Sequence, residues 1–209
     1  LKIAADKMGV DIWEVIEAAS TKPFGFKAFY PGPGLGGHCI PIDPFYLTWK
    51  AKEYGVHTRF IELAGEINES MPKYVVQNTS KALNTRKKSI NASSVLLMGL
   101  AYKENVDDMR ESPTFHIMDQ LRELGAEVSY FDPHIPMITP TREHADWAGL
   151  ESVTWDETLI SQFDCVIICT DHQCFNYQQL VDWADVVLDT RNALSKAGVT
   201  PKENQLFQS

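Results

Sequence analysis

Cys39 closes the run Gly32-Pro33-Gly34-Leu35-Gly36-Gly37-His38-Cys39. Glycines let the main chain approach a ligand closely and adopt positive φ. With a helix expected just after it, the run holds the thiol in a tight turn near a helix N-terminus. That position favours the nucleophilic thiolate. Asp43 follows four residues later, within reach if the helix begins near Pro41. A carboxylate there positions a water or takes part in proton transfer. Spacing alone leaves two readings open: a reactive thiol, or a turn shaped by Gly and Pro around a packed one.

The other cysteines carry less. Cys165 and Cys169 fall in an apolar, strand-like run, where free cysteine behaves as a small core hydrophobe. A zinc set of Cys165, Cys169, Cys174 and His172 straddles a strand end and lacks the paired-knuckle spacing. A cysteine hydrolase needs a partnered histidine base. His38 is adjacent in sequence and so points elsewhere, and His57 has no supporting pattern.

The chain of 209 residues fits one large domain or two modest ones. With 44% hydrophobic and 22% charged residues it reads as globular. A formal net charge of -9 argues against nucleic acid as a partner. A local positive pocket for a small phosphorylated ligand is still compatible with it. No apolar run approaches the roughly 20 residues of a membrane span, and no signal segment opens the chain. The expectation is therefore a cytoplasmic protein in which disulfides do not form. Residues 1–8 read as mid-helix text without an N-cap, so a preceding part is expected to be missing.

The elements that must position Cys39 follow from periodicity. Residues 1–20 read as a helix end and a second short helix, with Gly9 ending the first and Asp11 capping the second. Residues 21–44, rich in Gly and Pro, read as an ordered loop. Residues 44–55 return to helix. Residues 60–89 form one long helix of roughly 40 Å, with a kink or break at Pro72. A helix that long joins two domains or packs against its own copy. From residue 94, strands (95–100, 127–131, 153–154, 165–170, 186–189) alternate with helices (112–125, 156–162, 177–183). That pattern predicts a parallel, doubly wound sheet. Ligands of such sheets bind at the carboxyl ends of the strands, here the loops after Leu100, Thr170 and Asp189.

Three segments resemble one family. Gly34-Leu35-Gly36-Gly37-His38-Cys39-Ile40-Pro41-Ile42-Asp43 is similar to the active-site segment of the UDP-glucose/GDP-mannose dehydrogenases, most of all the branch acting on UDP-N-acetylhexosamines. Gly99-Leu100-Ala101-Tyr102-Lys103 with Asp107-Asp108-Met109-Arg110-Glu111-Ser112-Pro113 resembles the UDP-binding domain. Asp189-Thr190-Arg191-Asn192 resembles the final strand-end motif. Their order and spacing fit, and the glucose-oxidising branch usually carries Lys at position 42.

The resemblance implies an α/β protein. A central helical domain, 1–89, would dimerise through its long helix, and a Rossmann-like UDP-binding domain would occupy 90–209. It implies NAD-dependent, two-step oxidation of a sugar C6 alcohol through a cysteine thiohemiacetal and thioester, supplying capsule or O-antigen precursors. Cys39 maps onto the nucleophile and Asp43 onto the acid that orients water. Tyr102, Lys103 and Arg191 map onto substrate contacts, as do Phe29, Tyr30 and the backbone of Gly34, Gly36 and Gly37. Arg110 maps onto an arginine reaching the cofactor. Its rival role is pairing with Asp107, Asp108 or Glu111, and the rival for Arg191 is a salt bridge to Asp189. The family's NAD-binding domain and its catalytic lysine and asparagine are expected to be absent, so the chain alone should not turn over substrate. A non-catalytic nucleotide-sugar binding and dimerisation module is the alternative. The sugar epimer stays open.

Overall fold

The computed structural model describes all 209 residues. They fall into two compact units, Leu1–Gly32 and Pro33–Ser209.

In the first unit, α1 (Lys2–Met8) stops at Gly9, whose φ of 67° only glycine adopts cheaply. Helix α2 (Ile12–Ser20) is capped by Asp11, which accepts from the Trp13 amide at 2.8 Å. Ala5, Ile12 and Trp13 form a small core with Ile16, and Trp13 stacks on Tyr30.

The second unit begins with the Cys39 loop and two helices, α3 (Asp43–Glu53) and α4 (Arg59–Thr85). The expected interruption at Pro72 is not a break: the helix continues through it, with Pro72 itself buried. Pro lacks one N–H and costs one bond, and the flanking turns bury Val75, Val76, Ala82 and Leu83 in the main core. Farther toward its N-terminus α4 exposes Phe60, Leu63 and Ile67.

Five parallel strands follow: β1 (Ser94–Met98), β2 (Glu127–Phe131), β3 (Cys165–Ile168), β4 (Val187–Asp189) and β5 (Leu206–Gln208), in the order β2-β1-β3-β4-β5. Val95 lies opposite both Val128 and Cys165, and Met98 opposite Phe131 and Ile168. Side chains alternate between two cores, as a pleated strand requires. Val95, Leu97, Cys165, Ile167 and Leu188 join α4 and α5 (Pro113–Glu123) on one face. Leu96, Met98, Val166, Ile168 and Val187 join α6 (Glu157–Ile160), α7 (Tyr177–Trp183) and α8 (Ala193–Lys196) on the other. This is the α/β, doubly wound parallel sheet that the strand and helix spacing predicts.

Two details differ. Residues 153–154 form no strand; the Val153 amide donates to the Tyr130 carbonyl at 2.9 Å in an otherwise irregular segment. The short elements α8 and β5 lie beyond the expected ones.

Candidate active site

The strand order reverses at β1. The chain crosses from β1 to β2 on one side, then returns to β3 on the other. The loops that leave the carboxyl ends of β1 and β3 therefore run to opposite faces of the sheet, the place where such sheets form a ligand crevice. The loop after β1, residues 99–112, lines it and carries Tyr102, Lys103 and Arg110.

The Cys39 loop docks on this loop through its glycines. The Gly37 amide donates to the Arg110 carbonyl at 3.0 Å. A Cβ on Gly37, where φ is 90°, would lie 2.8 Å from the Tyr102 ring. One on Gly36 would lie 2.7 Å from the Tyr102 Cβ and would collide with the Glu111 carbonyl. Gly34 (φ 137°) faces Pro113, and the Leu35 amide donates to Asn68 of α4 at 2.8 Å. Glycine is thus required by contact at Gly36, and by contact as well as conformation at Gly34 and Gly37. Beyond the docking point His38 and Cys39 are exposed. The Cys39 carbonyl accepts from the Ile42 and Asp43 amides at 3.2 and 2.8 Å, which turns the chain into α3. The thiol thus precedes the first turn of an eleven-residue helix whose first residue is Asp43.

Tyr102 is half-buried under these glycines, while Lys103 is exposed, with its Nζ 5.4 Å from the Tyr102 ring centroid. The loop closes on itself where the Tyr102 amide donates to the Asp108 carbonyl at 3.0 Å. Arg110 takes the rival role foreseen for it: its guanidinium grips both Asp108 carboxylate oxygens, the closest approach being 2.6 Å. The pair holds Asp108 below the usual carboxylate range and raises Arg110 further. Ser112 caps α5 and Pro113 occupies its first turn.

Arg191 follows β4 and makes no salt bridge to Asp189. Its Nε donates to the Cys169 carbonyl at 2.7 Å. Asp189 instead caps the Arg191 and Leu194 amides at 2.9 and 3.0 Å. Burial lowers the Arg191 pKa, opposed by Asp171, Asp189 and Glu104 nearby. Burial likewise raises Asp189 despite its backbone bonds. Phe29 and Tyr30 belong to the first unit, where Tyr30 stacks on Trp13. The structure thus brings the Gly34–Gly37 segment together with Tyr102 and the backbone of Arg110, whose side chain is turned to Asp108.

Sequence reasoning gave Asp132 no role and weighed His172 only as a zinc ligand; the two sit fully buried against each other. Asp132 Oδ2 accepts from the amides of Leu100 (2.7 Å) and Ala101 (2.9 Å) and from His172 Nε2 (3.1 Å). Its Oδ1 accepts from His134 and Ile135. Burial alone would raise the Asp132 pKa; the bonds from His172, Ala101 and His134 outweigh it and lower it. The signal available in sequence was an Asp-Pro pair immediately after a strand. A second polar cluster, His116, Asp119 and His144, is committed elsewhere. The two Asp119 oxygens take His144 Nδ1 (2.9 Å) and the Trp147 indole (2.7 Å), and Arg122 stands beside them. They clasp the irregular 134–150 segment to α5.

No strand–turn–helix for a dinucleotide is present. Gly32, Gly34 and Gly37 have that spacing, but no strand precedes them and α3 starts only at Asp43. The one contact to NAD foreseen, Arg110, is engaged by Asp108. No helix is long and apolar enough to cross a membrane.

Comparison with known proteins agrees with this arrangement. Residues 96–196 match the UDP-binding domain of the UDP-glucose/GDP-mannose dehydrogenase family, and residues 1–70 its central domain. A UDP-N-acetyl-D-mannosamine dehydrogenase of Methanococcus maripaludis is 36% identical over 197 residues, covering 90% of this chain and 42% of the relative. A UDP-N-acetyl-D-glucosamine 6-dehydrogenase of Pseudomonas aeruginosa is 41% identical over 135 residues, 65% of this chain and 32% of the relative. Among solved structures, the UDP-D-ManNAc dehydrogenase of Pyrococcus horikoshii superposes with a TM-score of 0.81 at 27% identity, covering 99% of this chain and 46% of that one. The chain spans less than half the length of these relatives. With both domains matched in order, it belongs to the UDP-glucose/GDP-mannose dehydrogenase family, of which it carries the central and UDP-binding domains.

Proposed function

We propose that this chain supplies the nucleophile and the UDP-binding half of an NAD-dependent UDP-N-acetylhexosamine 6-dehydrogenase acting in the cytoplasm. One observation carries the reading: the glycine loop that presents Cys39 is docked, backbone to backbone, on the loop that presents Tyr102 and Lys103 at the switch point of the sheet. A nucleophile and a cation for a diphosphate thereby share one rim.

Lys103 and Arg191 supply positive charge to the UDP diphosphate. Tyr102, with the backbone of Gly34, Gly36 and Gly37, borders the sugar. The Cys39 thiolate adds to the C6 aldehyde carbon and a proton moves to its oxygen, giving a thiohemiacetal. After oxidation to the thioester, Asp43 orients a water whose oxygen forms the new C–O bond. The C–S bond breaks and Cys39 leaves as thiolate. When bound, NAD+ would supply the hydride acceptor for both oxidations. Arg110 reaches it if the Asp108 pair opens.

Domains of 1–89 and 90–209 accord with the family matches. Homodimerisation through the central helix is supported by the exposed Phe60, Leu63 and Ile67 of α4, next to the equally exposed Trp49 and Tyr54 at α3. A role in capsule or O-antigen precursor supply accords with the name Protein CapL of a Staphylococcus aureus relative.

The test is covalent capture. The purified chain is incubated with the C6 aldehyde of UDP-N-acetylglucosamine or UDP-N-acetylmannosamine, 13C-labelled at C6, and the intact protein is read by 13C NMR, since the thiohemiacetal is reversible and does not survive digestion. A protein-bound C6 resonance of a carbon bonded to sulfur, absent from Cys39→Ser, is expected; its absence from the parent chain overturns the assignment.

A further inference from the structure

The loop 99–112 is pinned at two shoulders, and its apex at Tyr102 and Lys103 stands between them. The first shoulder is Leu100 and Ala101, whose amides Asp132 holds. The second is Asn105, whose amide donates to His172 Nδ1 at 2.8 Å. Asn105 has a left-handed backbone, φ 58°, and reverses the chain just past Glu104. Its Oδ1 takes the Gln173 amide at 3.0 Å, tying the loop to the one after β3.

These bonds fix the tautomer of His172. Nδ1 accepts a backbone N–H and so carries no proton. Nε2 carries it and donates to Asp132. The ring is completely buried, packed edge-on to Phe175 and against His134. A polar ring in such a place is retained only with both nitrogens satisfied. One nitrogen is spent on the carboxylate that pins the first shoulder, the other on the amide that forms the second. Asp132 and His172 thus set the span of the apex from both ends.

We propose that His172, locked as the Nε2–H tautomer by Asp132, is a positioning residue that holds Lys103 where it meets the diphosphate. The proposal rests on the function given above and adds a residue to it.

UDP is titrated calorimetrically into the purified chain and into Lys103→Ala, His172→Gln, His172→Asn and the Lys103→Ala/His172→Gln double variant. Gln keeps a donor for Asp132 and loses the acceptor for Asn105; Asn places an amide oxygen where Nδ1 was. The expected result is about tenfold weaker binding for Lys103→Ala and for His172→Gln, with the double variant no worse than either, because both remove the same contact. His172→Asn binds within about threefold of the parent. Additive losses, near a hundredfold in the double variant, mark a general structural role and overturn the proposal. So does parental affinity in His172→Gln when Lys103→Ala is impaired; the proposed function stands in both cases. Parental affinity in Lys103→Ala removes that lysine's ligand role and with it this proposal, while Cys39 capture still judges the proposed function. Should His172→Gln fail to fold, the 15N shifts of His172 in the unmodified chain decide. A proton on Nε2 supports the positioning role, and one on Nδ1 overturns it.

Discussion

Burial separates the four thiols into two classes. Cys165 and Cys169 lie in the sheet core, and burial pushes each thiol up to about 12. Cys39 and Cys174 are exposed. A native-state thiol assay at pH 8 should titrate two cysteines and reach all four only in denaturant, with Cys39→Ser removing one of the two. Fast labelling of four in the native chain would contradict the packing. The sequence conveyed this much, because an apolar strand run marks its cysteines as core. It did not convey Asp132 and His172, forty residues apart, since a buried polar pair depends on which loops the sheet brings together. Asp132 receives five donors, and an amide in its place has one oxygen to meet them. Asp132→Asn should cost about 2–4 kcal/mol in chemical denaturation. The folded-state pKa of Asp132 is depressed, so its contribution is complete above the unfolded value and is lost as pH falls through the folded one. Asp189 runs the other way: burial raises its pKa, so its contribution is complete at low pH and fades as pH rises through the shifted value. Denaturation between pH 7 and 3 should therefore show a shallower acid loss in Asp132→Asn than in the parent; parallel profiles would contradict the assignment.

Helices and strands were the legible part, because periods of 2 and 3.6 are local properties. Strand β2 falls at 127–131 and α7 at 177–183, as the spacing predicts. What failed was short or dependent on context. Strand β5 spans three residues that pair only because β4 is already in place, and α8 is a single turn after Asp189. Of the kink or break expected at Pro72, the break does not occur, because the proline's local penalty is smaller than what the surrounding turns gain by packing on the sheet. The glycines of the Cys39 loop were legible as glycines but not as a docking surface. That surface makes a direct prediction. Gly37→Ala should cost roughly 1–3 kcal/mol, since a Cβ there meets the Tyr102 ring at a positive φ. Gly55→Ala, also at positive φ (73°) but facing open space, should cost only about 1 kcal/mol. Equal losses in the two variants would show that the docking contact carries no weight.

At the scale of the whole chain, the family is set by two domains, while the relatives run more than twice as long. Lacking a strand–turn–helix for a dinucleotide, the 209-residue chain should yield no NADH from UDP-N-acetylglucosamine or UDP-N-acetylmannosamine; turnover detected at 340 nm would refute this. The apolar stretch of α4 should make it a dimer by sedimentation, and Leu63→Glu should shift it toward monomer. A parent that sediments as monomer would remove the central-helix interface. The seam between Gly37 and Arg110 has a further consequence, one for inheritance. It is built from main-chain atoms and from side chains that are missing. Drift at Leu35, His38 or Ile40, all exposed, leaves it untouched, whereas a single added methyl at Gly36 or Gly37 breaks it. A lineage can therefore vary those neighbours freely while passing on, unaltered, the seating of the Cys39 loop on the loop that carries Tyr102 and Lys103.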